Sequence, residues 1–329
     1  MKLALDRSPS FLESLAKEGE HSDIIIARDL ESTKVVGIGY RTEAYYIFQG
    51  NRLRLGYLGG LRLLKKYRSG LTLAKGYRKL KELHEKSNCK GYFTTIQLEN
   101  KTAMEILESH RAGLPFYQFI CQLKTYIWNP KAYSKKGKLT TERVTDINLY
   151  RSFFSENERP TFLKPEFSES FYGNKDITRY FIKNGEQILA CFSIWNQTHS
   201  KRWRVSDYSG FWRIFRNPYN LFARFRSLPK LPLPGSNLEY CFLTQFTILN
   251  SESKFLSDIV SEIFFTSQKQ FPGFYLCCAF SKEDPWNSFL KKIPSWTIES
   301  NAYFVCWEPS ENIFAKKIDG FSIWEAGFL

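Results

Sequence analysis

LRLGYLGGLRLL at 53–64 runs directly into KKYRSGLTLAKGYRKLKELHEKSN at 65–88. The first piece has the apolar character of a strand, interrupted by Gly56, Gly59 and Gly60. Glycine inside a strand marks a bulge or a close approach of backbone. In the second piece the apolar residues Leu71, Ala74, Tyr77, Leu80 and His84 (or Leu83) recur at intervals of three and four. That spacing predicts an amphipathic helix. Ser69 and Gly70 stand at its entry, where a cap belongs. Strand, short loop and helix in this order can hold phosphate. The first amides of a helix lack internal partners, its dipole adds positive charge there, and Gly70 lets a ligand reach the backbone. Lys65, Lys66 and Arg68 add charge. The plainer alternative is an ordinary capped helix, since one glycine at a helix entry is common. The loop is neither GxxxxGK[ST] nor GxGxxG, so a Walker A loop and a dinucleotide fingerprint are excluded here.

Upstream, DIIIAR at 23–28 and KVVGIGY at 34–40 read as two strands around a polar turn, and AYYIF at 44–48 continues the strand character. Downstream, GYFTTIQL at 91–98 is a strand, KTAMEILESH at 101–110 a short helix with Asn100 at its N-cap, and FYQFICQLKTYIW at 116–128 a strand or strand pair. The basic stretch NPKAYSKKGKLTTERVTD at 129–146 reads as a connection. The second half then repeats the style. ITRYFIKNGEQILACFSIWNQ at 177–197 gives two strands around an Asn184-Gly185 turn. FWRIFRNPYNLFARFRSL at 211–228 is a helical stretch ending in the loop LPKLPLPG at 228–235. Strand LEYCFLTQFTIL, helix SESKFLSDIVSEIFFTSQKQF, strand GFYLCCAF and final strand AYFVCWEP follow. The same strand-and-helix order appears clearly once and weakly again, which indicates a tandem duplication. The expected division is 1–135 and 136–329, and the expected class is α/β (α+β), each unit a mixed, largely antiparallel sheet flanked by helices.

Charge is unevenly placed. Residues 1–150 hold 26 Lys+Arg against 15 Asp+Glu, a net of +11 of the whole chain's +14. Residues 52–90 alone hold 12 basic residues against Glu82 and Glu85. A field concentrated in one segment favours a polyanionic ligand over a general solubility charge. Part of the excess is the solvated face of the predicted helix. The composition argues against disorder, collagen and coiled coil, and no run of about 18 apolar residues suggests a membrane span. The seven cysteines are scattered without a CxxC spacing, which points to reduced, mostly buried thiols. The N-terminus turns acidic before an apolar signal core can form. Together these features lead to the expectation of a cytoplasmic protein.

Against this background the sequence resembles the GNAT acyltransferase superfamily, whose members transfer an acyl group from acyl-CoA, usually to an amine. LGYLGGLRLLKKYR is similar to the family's central strand, and YRSGLTLAKGY is similar to its pyrophosphate loop, commonly written [QR]-x-x-G-x-[GA]. GYFTTIQLENKTAMEILES resembles the next strand and helix, with Asn100 and Ala103 on the recurrent N-x-x-A. YLGGLRLLKKYRSG, RAGLPFY, SIWNQ, LPKLPLPG and YFVCWEP further resemble bacterial proteins with two GNAT-like domains in tandem. The resemblance implies an acetyl-CoA or other acyl-CoA co-substrate, no metal, and direct transfer to a small-molecule or peptide amine. It places the co-substrate on Leu61, Arg62, Leu63, Arg68, Ser69, Gly70, Leu71, Thr72, Asn100 and Ala103.

The chain departs from the pattern at several points. Read without a gap, Tyr67 takes the [QR] position and Thr72 the last Gly/Ala; with the loop one residue short, Arg68 is the signature arginine. Leu107 stands where the family often has an acid tyrosine, and LRLGYLGGLRLL carries no carboxylate to act as base. The residues to test for catalysis are Tyr57, Tyr117 and His84. The plainer reading is a packed core residue for each tyrosine and a solvated or dipole-favoured side chain for the histidine. A backbone amide at Gly59-Gly60-Leu61 would stabilise the oxyanion. In the second half TILNSESKFLSD at 247–258 has no glycine and is acidic, so this copy is expected not to bind CoA and instead to complete the acceptor cleft. The four histidines have no ligand spacing for a metal. FWRIFRNPYNLFARFR mixes aromatics and arginines; the favoured reading is a helix packing its Phe and Trp on the sheet, ahead of base stacking or a membrane surface. The leading function is an N-acyltransferase. The alternative is a non-catalytic CoA-binding or regulatory protein, and a nucleic-acid binder ranks third. No membrane partner is expected.

Overall fold

The structure is a computed structural model that describes residues 2–328 except 69–70, 110–112, 133–136, 160, 227, 250–252, 317, 319 and 321. In chain order the strands are β1 (Lys2–Arg7), β2 (His21–Arg28), β3 (Val35–Phe48), β4 (Asn51–Leu63), β5 (Tyr92–Gln97), β6 (Phe116–Trp128) and β7 (Thr140–Arg143). They continue with β8 (Leu163–Pro165), β9 (Ile177–Asn184), β10 (Gln187–Trp195), β11 (Lys201–Asp207), β12 (Tyr240–Ile248), β13 (Tyr275–Ser281) and β14 (Trp296–Cys306). The helices are α1 (Phe11–Leu15), α2 (Thr72–His84), α3 (Lys101–Leu107), α4 (Ile147–Glu156), α5 (Glu169–Tyr172), α6 (Phe211–Arg226), α7 (Leu256–Gln270) and α8 (Asn287–Leu290).

Twelve strands form one sheet in the order β2-β3-β4-β5-β14-β6-β13-β12-β10-β9-β7, with β8 pairing to β3; β1 and β11 form a second, two-stranded sheet. Antiparallel hairpins build its outer parts. Gln49 and Gly50, at φ 47° and 79°, turn β3 into β4, and Phe48 lies opposite Asn51. Gly185 at φ 59° turns β9 into β10 at the expected Asn184-Gly185 site. Two parallel contacts, β4 with β5 and β12 with β13, sit at equivalent places in the two halves.

The centre of the sheet departs from two units laid side by side. β14, the last strand of the chain, lies between β5 and β6, and β6 pairs with β14 on one edge and β13 on the other. Each half therefore finishes its sheet with the other half's final strand. Leu55 and Tyr57 point into one core cluster with Leu15, Phe93, Phe304 and Trp324, while Leu58 joins Tyr77, Leu80, Tyr92, Tyr117 and Tyr303 in another. That alternation puts α2 and α3 on one face and α1 with the C-terminal tail on the opposite one. In the second half α7 packs Ile259, Val260, Ile263 and Phe264 on the sheet. All seven cysteines are buried and unbridged.

One expectation is overturned. α6 does not pack its aromatic residues on the sheet. Its only fully buried residue is Ala223, and Phe211, Ile214, Leu221, Phe222 and Phe225 are exposed. The 3.6-residue spacing identifies the helix but does not say which face meets protein.

Candidate functional site

β4 and β5 run parallel for two residue pairs, Gly56 with Tyr92 and Tyr57 with Phe93, and then part. The Thr94 hydroxyl spans the start of the gap by donating to the Leu58 carbonyl at 2.9 Å. Past it, β4 gains one residue against β3, because Tyr40 faces Gly59 while Ile38 faces Arg62. Gly60 carries the bulge at φ 65°, a region costly to any residue with a Cβ. The Tyr40 ring lies so close that a Cβ on Gly60 would come within 2.6 Å of it. Gly60, Leu61 and Arg62 are exposed. The bulge expected from the glycines is therefore present, at the open edge of a splayed strand pair.

The helix that follows is α2. Among the described residues no side chain caps the start of α2, whose N-cap Leu71 is 71% exposed, and the first amides of a helix lack internal partners. Ser69 and Gly70 lie outside the described residues. Tyr67, at the signature position when the loop is read without a gap, donates its hydroxyl to Asp29 at 2.7 Å. Arg68 turns its Nε back onto the Leu63 carbonyl at 3.0 Å. Lys65 and Lys66 are exposed. Asn100 caps α3 by accepting from the Ala103 amide at 3.3 Å, so in this structure the N-x-x-A pair is a helix cap.

The two tyrosines are not brought together. Tyr57 lies in the core on the α1 side, its hydroxyl paired with that of Thr95 at 2.7 Å. Tyr117 lies in the core on the α2 side, paired with the Tyr77 hydroxyl. Burial raises the pKa of both, Tyr117 the more strongly, so both stay neutral phenols. His84 stacks on Trp307 and, through burial, is pushed below its ordinary value.

The second half repeats the geometry. β12 and β13 are parallel from Tyr240 with Tyr275 to Phe242 with Cys277, and a bulge follows between Cys191 and Ser193 of the facing strand β10. Gln245 sits in it at φ 50°. Gln245 is three residues beyond the last parallel pair, as Gly60 is beyond Tyr57, so the two positions are equivalent. The second bulge is occupied from within: its Gln245 amide donates to the Glu325 carboxylate at 3.0 Å. A cavity beside it is lined by Glu158, Arg159, Asp284, Trp286, Trp324 and Glu325 among others. Arg159 pairs with Asp284 at 2.7 Å and lies over the Trp286 ring. Burial raises the Glu325 carboxyl to about 7, with the Gln245 amide opposing. The segment before Glu325 is held by the Ile323 amide on the Leu163 carbonyl, and the segment after it by Gln197 and Lys201 on the Gly327 carbonyl.

Among the buried charged groups that the residue reading does not single out, two bear on the bulges. One is Glu325 with its cavity; its signal was a lone carboxylate inside the apolar tail IWEAGFL. The other is Glu18, which pairs with Arg7 and Lys201, each at 2.7 Å, while Arg7 also donates to the Tyr40 hydroxyl at 3.0 Å. It stands behind the ring that supports Gly60. Among the described residues no three His, Cys, Asp or Glu side chains gather as a metal-holding group.

No family model and no curated protein matches the sequence. Solved structures do match. One is Saccharomyces cerevisiae N-myristoyltransferase with bound myristoyl-CoA: TM-score 0.56 at 12% identity, over 92% of this chain and 71% of that one. A second structure of that yeast enzyme, with myristoyl-CoA and inhibitors, gives a TM-score of 0.52 at 12% identity, over 92% and 80%. This chain has the GNAT fold. The two splayed, bulged strand pairs are the centres of its two GNAT-like halves, and the exchange of β6 and β14 joins them into one sheet. Among the described residues no helix is long and apolar enough to cross a membrane.

Proposed function

We propose that the chain is an acyl-CoA-dependent N-acyltransferase that uses its first cleft for the acyl donor and transfers the acyl group directly to an amine. The observation that carries this reading is the contrast between the two bulges. The second is filled by Glu325; its counterpart at Gly60 is exposed and leads through basic residues to the start of α2. The diphosphate of CoA would sit on the amides at the start of α2, with charge from Arg62, Lys65 and Lys66. The thioester carbonyl would accept from a main-chain amide at Gly59-Gly60-Leu61. The neutral amine attacks that carbonyl, its proton leaves to solvent or to a base, and the thiolate departs. Holding donor and acceptor together supplies much of the rate. Acetyl and longer acyl groups both fit this reading, and the acceptor is a small molecule or peptide amine.

A specific observation favours a second reading. Tyr57 and Tyr117 are tied to internal partners and β4 carries no carboxylate, as expected of a CoA-binding protein that has lost the chemistry. Calorimetry with CoA and acyl-CoAs of increasing chain length, followed by a thiol-release assay over an amine panel, separates the two. Binding with thiol release on any amine supports transfer; binding without release across the panel supports the second reading. Leu71→Asp tests the site itself. A carboxylate at a helix N-terminus favours the fold by about 0.3–1 kcal/mol and repels a diphosphate. The variant should unfold no earlier than the parent and lose CoA binding. Unchanged CoA affinity would remove the site assignment and both readings with it.

A further inference from the structure

α6 presents the wrong face to water. At 100° per residue, Leu221, Ile214, Phe225, Pro218, Phe211, Phe222 and Phe215 fall on one continuous arc, and that arc faces solvent. Ile214 is 77% exposed and Phe225 78% exposed. The opposite arc makes the contacts with protein. Tyr219 accepts from the Trp296 ring nitrogen at 2.6 Å and Asn220 exchanges two hydrogen bonds with Leu231, while Ala223 is fully buried. The helix is therefore fixed by its polar and small residues, with its large apolar side chains outward. Contiguous exposed apolar surface of this kind marks an interaction site.

The charges identify the occupant. Residues 211–230 contain Arg213, Arg216, Arg224, Arg226 and Lys230 and no Asp or Glu. On the wheel, Arg224 flanks one side of the apolar arc, past Asn217, and Arg226 borders the other, while Arg213 lies farther round and pairs with Asp207 at 2.7 Å. Two copies packed through this face would bring the Arg224 and Arg226 rims together, and the helix itself carries no acid to meet them. A nucleic acid would require the arginines at the centre of the face, where Phe225, Pro218 and Phe211 stand instead. An apolar strip bordered by cations matches the interface of an anionic bilayer, with side chains among the acyl chains and arginines among the phosphates. We propose that α6 is a peripheral docking helix that lies flat in the interface of an anionic lipid membrane along its length of about 24 Å. The sequence expectation of no membrane partner rests on the absence of a spanning run, and an interfacial helix needs none. This proposal is independent of the acyl-transfer reading.

The test is sedimentation of the full chain with vesicles of phosphatidylcholine alone and of phosphatidylcholine mixed with phosphatidylglycerol. The wild type should bind the mixed vesicles, more weakly as salt rises, and bind the neutral ones far less. Ile214→Glu with Phe225→Glu should weaken binding at least about a hundredfold, with thermal unfolding unchanged because both positions are exposed. Arg224→Gln with Arg226→Gln keeps the apolar arc and should weaken binding about thirtyfold; it carries the test if the first variant misfolds. Three results overturn the proposal: no binding to mixed vesicles, equal binding to both kinds, or a concentration-dependent dimer that the Ile214/Phe225 variant abolishes while vesicles stay unbound.

Discussion

Replacing Glu325 with glutamine should change how stability depends on pH. The carboxyl is buried, accepts from the Gln245 amide and faces Glu158 and Arg159 across the same cavity. Burial, the largest cause, and Glu158 raise it from 4.5 to about 7, against the pull of the Thr244 hydroxyl, the Gln245 amide and Arg159. Below about pH 4.5 the folded and unfolded chains both hold this proton and the group is neutral in its effect. Between 4.5 and 7 the unfolded chain releases it and the folded chain keeps it, so stability falls as pH rises. At 1.36 kcal/mol per tenfold in proton affinity the full loss approaches about 3 kcal/mol above pH 7. Glu325→Gln retains an oxygen for the Gln245 amide but has no proton to lose. Urea unfolding of both proteins from about pH 5 to about pH 8 should give curves that diverge with pH, the variant gaining on the wild type by up to about 3 kcal/mol. A constant difference across that range would mean that Glu325 is hydrated or otherwise compensated, and the account of the closed second cleft would fail.

Three more perturbations probe other parts of the fold. Glu18→Gln leaves Arg7 and Lys201 buried without their shared anion and should cost about 3–5 kcal/mol in denaturant unfolding; a cost under 1 kcal/mol would show that water reaches the cluster. Gly60→Ala forces a Cβ into the positive-φ bulge against Tyr40 and should cost about 1–2 kcal/mol while weakening acyl-CoA binding measured by calorimetry, whereas Gly185→Ala, with open space around it, should pay only the backbone strain and leave binding intact. Gly327→Ala would set a methyl 2.5 Å from the buried Trp195 ring; a loss of about 1–3 kcal/mol is expected from overpacking, read as a lower thermal midpoint.

What could be read in the sequence was local. The β-branched run of DIIIAR, the three-and-four spacing from Leu71 and the Asn184-Gly185 turn each depend on neighbours a few residues away, and the structure has those elements. The glycines of LRLGYLGGLRLL also signalled the bulge, because only a residue without a Cβ fits beside Tyr40 at φ 65°. Tyr57 could not be assigned this way. An apolar aromatic on a central strand has the same pattern whether its hydroxyl meets a substrate or Thr95. The orientation of α6 was illegible for a related reason: its wheel has a strong apolar arc, and periodicity carries no information on whether that arc meets the sheet or the solvent.

The exchange of β6 and β14 depends on pairings more than 150 residues apart in the chain, such as Ala302 with Cys121 and Ser281 with Leu123. Strands buried on both faces have no alternation that would name their neighbours, so an apolar run like AYFVC fits either half equally well. Yet that exchange decides what the duplication can do. With β14 seated between β5 and β6, the chain after it emerges on the first half and crosses to bring Phe328 beside Trp195 of the second. The crossing carries Trp324 into the first core and Glu325 onto the Gln245 amide. Gln245 holds a left-handed backbone that glycine holds at the equivalent position in the first half, and a non-glycine residue there needs surrounding structure to fix it. The tail supplies that fixing through Glu325, and in doing so it fills the bulge it stabilises. The first bulge, kept by a glycine that needs no such support, stays open.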